Sequence, residues 1–335
     1  MLQFRLRQNP LNFAGIGLIT IALPLLLNSC SGTNSTSKSN GKKTIAVTQI
    51  VEHPSLNAIR DGIKEELARS GFEADKTLNW QWETAQGSPS TAAQIAKKFA
   101  GDNPDVIVAI STPSAQSAIA AAPKIPIIFS GVTDPLGAKL ISNLQQPGGL
   151  VTGVSDLAPI AKHLDLIQQI SPNTKRLGVL YNAGESNSVS QVNLLKASAK
   201  DMKIVEATVS NSSEVATAAK SLVGKVDSIY IPTDNTIVSA LEAVLQVGIT
   251  NKLPIYAGDI DSVERGAVAT LGFNYRDVGQ QTGKMIIRVL NGEKPGTIAV
   301  ETPKILNLVV NAKAAKLMGV TVPESILKTA QKVIQ

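Results

Sequence analysis

Two matched pairs of segments decide the fold. Asp105-Val-Ile-Val-Ala-Ile-Ser-Thr112 has a later counterpart in Asp227-Ser-Ile-Tyr-Ile-Pro-Thr233, and Lys124-Ile-Pro-Ile-Ile-Phe-Ser-Gly131 has one in Lys252-Leu-Pro-Ile-Tyr-Ala-Gly258. Each is a short, β-branched, nearly continuous apolar run that ends in small residues. A run of this kind reads as a strand buried on both faces, as in a parallel sheet. The pairs recur in the same order at similar offsets, and the strands starting at Thr44 and Arg176 supply a third match. The expectation is α/β, with two like, Rossmann-like lobes whose parallel sheets are covered by helices.

The intervening segments agree. After a strand over Thr44–Ile50, Leu56, Ile59, Ile63 and Leu67 recur at helical spacing, and Gly71 closes the helix. Val106–Ile110, Ile125–Phe129, Leu177–Tyr181, Ser228–Ile231 and Leu253–Ala257 read as further strands. The chain has 335 residues, 43% of them hydrophobic, enough for two cores. That composition excludes a disordered tail protein, and one Cys excludes a disulfide scaffold. The net charge is +6, from 32 Lys+Arg against 26 Asp+Glu. So mild a surplus, spread along the chain, is no nucleic-acid footprint.

The N-terminus reads as an address. Arg5 and Arg7 precede an apolar stretch from Leu11 to Leu27, broken by Pro24 and followed by Asn28, Ser29 and Cys30. Those are the parts of an export signal. Leu27-Asn28-Ser29-Cys30 resembles a bacterial lipobox, in which the Cys is lipidated and becomes the new N-terminus. Residues 31–43, SGTNSTSKSNGKK, read as a flexible tether, with a reach of roughly 40 Å when extended. The expected organisation is a signal peptide over 1–29, a lipid-anchored tether over 30–43 and two lobes beyond.

Ligands of open parallel sheets bind beyond the carboxyl ends of the strands. The loops there hold Glu52 and His53; Ser111, Thr112 and Ser114; Ser130, Thr133 and Asp134; Asn182, Glu185, Ser186, Asn187 and Ser188; Thr233, Asp234 and Asn235; and Asp259 and Asp261. Any one of these residues can be a helix N-cap. Together they form a set without Lys or Arg, which suits a small zwitterion rather than a phosphate. Hydroxyls and helix N-termini would take a carboxylate, and an acid would take an ammonium. The expected arrangement has Ser111 and Thr112 on the carboxylate. Asp234 or Asp259 holds the ammonium, with Asp156 next in line.

Catalysis has little support. No G-x-S-x-G, P-loop, H-E-x-x-H or Cys/His metal spacing occurs, so no cofactor, metal or catalytic residue is expected. His53 reads as a capping or ligand-rim residue, and His163, in the helical run Ile160, Leu164, Ile167, as a surface one.

The stretches Gln49-Ile-Val-Glu-His-Pro54, Ala109-Ile-Ser-Thr-Pro113, Val132-Thr-Asp-Pro135, Gly153-Val-Ser-Asp156, Val179-Leu-Tyr-Asn182, Glu185-Ser-Asn-Ser188, Ile231-Pro-Thr-Asp-Asn235 and Thr270-Leu-Gly-Phe-Asn-Tyr275 resemble the substrate-binding lipoproteins of ABC transporters of the tryptophan/tyrosine type. The resemblance spans about residues 44–318. It implies a type I periplasmic-binding-protein fold with a cleft between the lobes and three crossovers. The N-lobe would comprise 44–154 plus 273–298, and the C-lobe 155–272 plus 299–335. It implies a monomer that binds an amino acid, aromatic favoured, by hinged closure and hands it to an ABC permease in the membrane. The ligand-binding residues would be Glu52, Ser111, Thr112, Ser130, Thr133, Asp134, Ser155, Asp156, Ser186, Asn187, Thr233, Asp234, Asn235 and Asp259, and the lipidation site Cys30. A ligand-presenting sensor lipoprotein and a hydrolase on a similar scaffold are the alternative readings.

Overall fold

The computed structural model describes residues 41–199 and 201–335. The signal, the lipobox with Cys30 and most of the tether lie outside the described residues. The body from Lys42 to Gln335 is one compact unit, built around two separate hydrophobic cores.

The first part of the chain runs β1 (Lys43–Gln49), α1 (Pro54–Arg69), β2 (Leu78–Thr84), α2 (Pro89–Asp102), β3 (Val106–Ile110), α3 (Thr112–Ala121), β4 (Ile127–Ser130) and β5 (Val151–Val154). All five strands are parallel, in the order β2-β1-β3-β4-β5. The second part runs α4 (Ile160–Ile170), β6 (Arg176–Asn182), α5 (Ser186–Ser198), β7 (Lys203–Val209), α6 (Val215–Ser221), β8 (Ser228–Ile231), α7 (Asn235–Ser239), α8 (Leu241–Asn251), β9 (Ile255–Ala257), α9 (Ile260–Arg265) and β10 (Ala269–Gly272). Its parallel sheet has the order β7-β6-β8-β9, the same winding as β2-β1-β3-β4. The repeated Lys-x-Pro marks equivalent places. Pro126 and Pro254 have no N–H to give, but their carbonyls accept from Ile107 and Ile229 at 2.9 and 2.8 Å. Each therefore stands just before its strand, and β4 and β9 begin later than the apolar runs do.

The chain then returns. α10 (Tyr275–Leu290) packs along α1, followed by β11 (Asn307–Asn311), α11 (Ala312–Leu317), α12 (Glu324–Thr329) and β12 (Lys332–Ile334). Ile45, Ile107, Phe129 and Val154 share one core with Val278, Ile286 and Ile298. Ile167, Leu180, Ile229 and Ala269 share the other with Val309, Val310 and Met318. The chain passes between cores at Val154–Ala158, at Ala269–Phe273 and, last, at Leu306–Leu308. That last change lies beyond the expected 298/299, because Val300 and Leu306 still pack on the first core.

His163 is not the surface residue its helix suggested. It is 2% exposed, with Nδ1 2.8 Å from the Tyr230 hydroxyl and Nε2 2.9 Å from the Leu271 carbonyl. Burial pushes its imidazole down to about 4. A carbonyl only accepts, so Nε2 carries the proton and Nδ1 accepts from Tyr230. The neutral ring ties α4 to β10, next to the second passage between cores.

Candidate functional site

Strand ends of both sheets face each other across a closed cleft. Ser55 Oγ donates to Asp259 Oδ1 at 3.1 Å, Ser190 Oγ to Asp134 Oδ2 at 2.7 Å and Gln116 Nε2 to Ser186 Oγ at 3.3 Å, each bond joining one lobe to the other. Between the lobes lies a narrow cavity of about 20 Å³, far below the ~300–1,000 Å³ usual for small-molecule sites. Its walls are His53, Ser55, Leu56, Thr112, Gly131, Thr133, Asp156, Asn187, Thr233, Asp234, Asn235, Val238, Asp259 and Tyr275, with no Lys or Arg among them.

The start of α3 is built to be filled. Ser111 precedes it with φ 79° and ψ 160°, a strained conformation for a residue with a side chain. The hydroxyls of Ser111, Thr112 and Ser114 are buried and have no partner in the protein. The first-turn N–H groups of a helix have no intrahelical acceptor either. Donors of this kind, left unpaired in a closed site, suit an anionic group. Asn187 Oδ1 and His53 Nδ1 are likewise buried and unpaired.

Three carboxylates line the cavity, but two are largely spent on partners within the protein. A carboxylate has about four acceptor sites. Asp234 caps α7 by accepting from Ile237 N at 2.8 Å, and its other oxygen takes Asn182 N and Ser188 Oγ at 2.6 Å each. Burial, with the charge of Glu185 behind it, pushes its carboxyl up. Asp259 caps α9 by accepting from Ser262 N and Oγ, and it also takes Ser55 Oγ. Asp234 and Asp259 each accept three hydrogen bonds within the protein, which leaves little acceptor capacity for a ligand. Asp156 has more to offer. It accepts one hydroxyl on each oxygen, Thr133 at 3.2 Å and Tyr275 at 2.9 Å. Burial pushes its carboxyl up, against the hydrogen bonds from Tyr275 and Thr133. It stands on the first passage between cores, and its bond to Tyr275 reaches the start of α10, just past the second. Asp234→Ala should cost about 2 kcal/mol of stability, as a lost cap plus two buried hydrogen bonds, measurable by urea unfolding.

Of the expected residues, Thr112, Thr133, Asp156, Asn187, Thr233, Asp234, Asn235 and Asp259 meet in the cavity. The others stand outside its walls. Glu52 is exposed. Ser111 lies just behind Thr112, and Ser130 is turned into the core against Thr282 at 2.6 Å. Asp134 caps Gly137 N and latches to Ser190. Ser155 bonds the Thr133 carbonyl at 3.0 Å, and Ser186 meets Gln116. Ser55, Leu56, Gly131, Val238 and Tyr275 are wall residues that strand-end loops alone did not single out; four of them sit inside or beside helices, where periodicity reads only packing.

The profile of the family described as ABC transporter substrate binding protein matches residues 44–334. A curated relative, the tyrosine-binding protein of Clostridioides difficile, is 41% identical over 87% of this chain and 85% of its own. A crystal structure of a conserved domain protein from Vibrio cholerae, 45% identical, superposes with a TM-score of 0.86 over 88% of this chain and all of that one. The ABC domain in complex with L-Trp from Streptococcus pneumoniae, 38% identical, superposes at 0.85 over 88% of this chain and 100% of that chain. A ligand-free, open substrate-binding protein from Clostridium difficile, 39% identical, reaches only 0.65 over 88% and 99%. The matched residues, the two lobes and the enclosed cation-free cavity together establish that this chain belongs to the ABC transporter substrate-binding proteins, a family of solute binders and not of enzymes.

Proposed function

We propose that the chain is the lipid-anchored, extracytoplasmic receptor of an ABC importer, working as a monomer. Its ligand is an amino acid, aromatic favoured, enclosed by closure of the two lobes. One observation carries this reading: the unpartnered buried hydroxyl of Thr112, at the start of α3, and the under-used carboxylate of Asp156 line one cavity whose walls carry no Lys or Arg. The first suits an α-carboxylate and the second an α-ammonium. The tyrosine-binding relative and the L-Trp complex support the choice of ligand class. In this reading Thr112 meets the carboxylate, with Ser111 and Ser114 behind it, and Asp156 meets the ammonium. Thr133, Asn187, Thr233 and Asn235 complete the polar wall. Asp134 and Ser186 act as latches across the cleft rather than as ligand contacts, and Glu52, Ser130 and Ser155 shape the loops. Closure turns about the three passages between the cores.

Titration of the full chain with each of the amino acids by calorimetry tests the ligand class. A bound amino acid at 100 times its Kd should stabilise the protein by about 2.7 kcal/mol. If none binds, the reading falls. The anchor is tested separately. Cys30→Ser should release the protein from membranes or leave an uncleaved precursor, and it should end incorporation of a labelled fatty acid. Labelling that persists in the variant would refute lipidation at Cys30.

A further inference from the structure

The order of the first sheet lays the cavity wall out as a row. His53 follows β1, Thr112 follows β3, Thr133 follows β4 and Asp156 follows β5, and these strands are neighbours in that order. Neighbouring strands are ~4.8 Å apart, so the two ends of the row stand roughly 14 Å apart. Under the amino-acid reading, on which this inference rests, the carboxylate sits mid-row at Thr112 and the ammonium at the Asp156 end. The side chain then runs toward the His53 end, where Leu56 stands in the first turn of α1; Val238 is the other large aliphatic residue of the wall.

The His53 ring lines the cavity with one nitrogen that the protein leaves unused. The residue's carbonyl accepts from Asn57 N at 3.0 Å to start α1, but its side chain makes no cap. The ring is 9% exposed, and Nδ1 has no partner in the protein. Asn235 lies against the same ring. Burial, with the Arg265 guanidinium nearby, pushes the imidazole down to about 3. The ring is therefore neutral at pH 7 and offers one donor and one acceptor. A neutral polar atom walled in beside aliphatic side chains is costly to leave unmatched. It favours a ligand that brings its own hydrogen-bonding group to that point.

We propose that His53 is the specificity-determining residue of the cavity, hydrogen-bonding through Nδ1 to a polar group on the ligand's ring and so selecting a hydroxyl-bearing aromatic amino acid over its plain phenyl analogue. A site built to bond a ligand hydroxyl rejects the analogue that lacks it, because its own buried group is then stranded.

Calorimetric titration of the full chain with tyrosine and with phenylalanine tests this. The wild type should bind tyrosine about 5- to 150-fold more tightly. In His53→Leu the tyrosine affinity should fall to that of phenylalanine, while phenylalanine binds as well as before or better. His53→Asn, which keeps a polar atom near the place of Nδ1, should restore a preference for tyrosine. Equal affinities in the wild type, or equal losses for both ligands in His53→Leu, overturn the proposal. The wild-type comparison needs no variant and holds even if a substitution unfolds the chain. Binding of neither ligand, nor of any other amino acid, would instead bring down the amino-acid reading, a result visible in the same titrations.

Discussion

Asp156→Asn is expected to weaken amino-acid binding at least about thirtyfold while leaving the empty protein as stable as before, or more so. Removing one partner of a buried, hydrogen-bonded charge pair costs about 2–5 kcal/mol, and 2 kcal/mol is about thirtyfold in Kd. The effect on stability has the opposite sign for a definite reason. Burial raises the folded-state carboxyl above its ordinary 3.8. The unfolded chain therefore loses this proton at lower pH than the folded one does. The empty protein loses stability as pH rises from 3.8 toward the raised folded value, and the full cost is present above that value. Asn carries no such cost. Thermal unfolding of the empty proteins as a function of pH should thus show a steeper acid-to-neutral decline in the wild type than in the variant. Because a bound ammonium favours the ionised carboxylate, binding in mildly acid buffer should also release protons, seen as a dependence of the binding heat on the buffer used. A variant that binds like its parent would remove Asp156 from the ammonium.

Gly279→Val is expected to destabilise the protein by about 3 kcal/mol or more, lowering Tm by roughly 5 °C or more. α1 and α10 meet backbone to backbone. A Cβ on Gly279 would stand 2.2 Å from the Ile59 carbonyl oxygen, and one on Gly62 would stand 2.2 Å from the Arg276 carbonyl oxygen. Neither helix can yield without pulling its neighbours, because Val278 and Ile286 of α10 and Ile59 and Ile63 of α1 are buried in the same core. The contact also sets the site: α10 opens with Tyr275, whose hydroxyl holds Asp156, and α1 opens beside His53 and Ser55. Gly101→Ala is the control. It too is helical but has open space around it, and it should be neutral or stabilising by about 0.5–1 kcal/mol. Calorimetric unfolding of the two variants side by side separates a packing clash from loss of a glycine as such.

The sequence by itself determined the central strands, the doubled winding and the strand-end loops. Buried parallel strands must be continuous apolar runs, and those of Val106–Ile110 and Ser228–Ile231 have no other use. It did not announce β2 and β7. LNWQWET and KIVEATV are edge strands, half covered and studded with polar residues, and their pairing with β1 and β6 is a tertiary matter. The polar loops were legible because helix starts and ligand sites need the same residue types, and for that reason their roles were not. Whether Asp234, Asp259 or Asp156 keeps an acceptor free depends on which N–H and O–H groups arrive from segments far along the chain: Asn182 and Ser188 for the first, Ser55 for the second, Tyr275 for the third. His163 shows the same limit. Its helical spacing is that of any amphipathic turn, and only the packing of Tyr230 and Leu271 around it makes it a buried, neutral tie. Local pattern follows from the chain's own periodicity, whereas satisfaction of a polar atom is a property of everything folded around it.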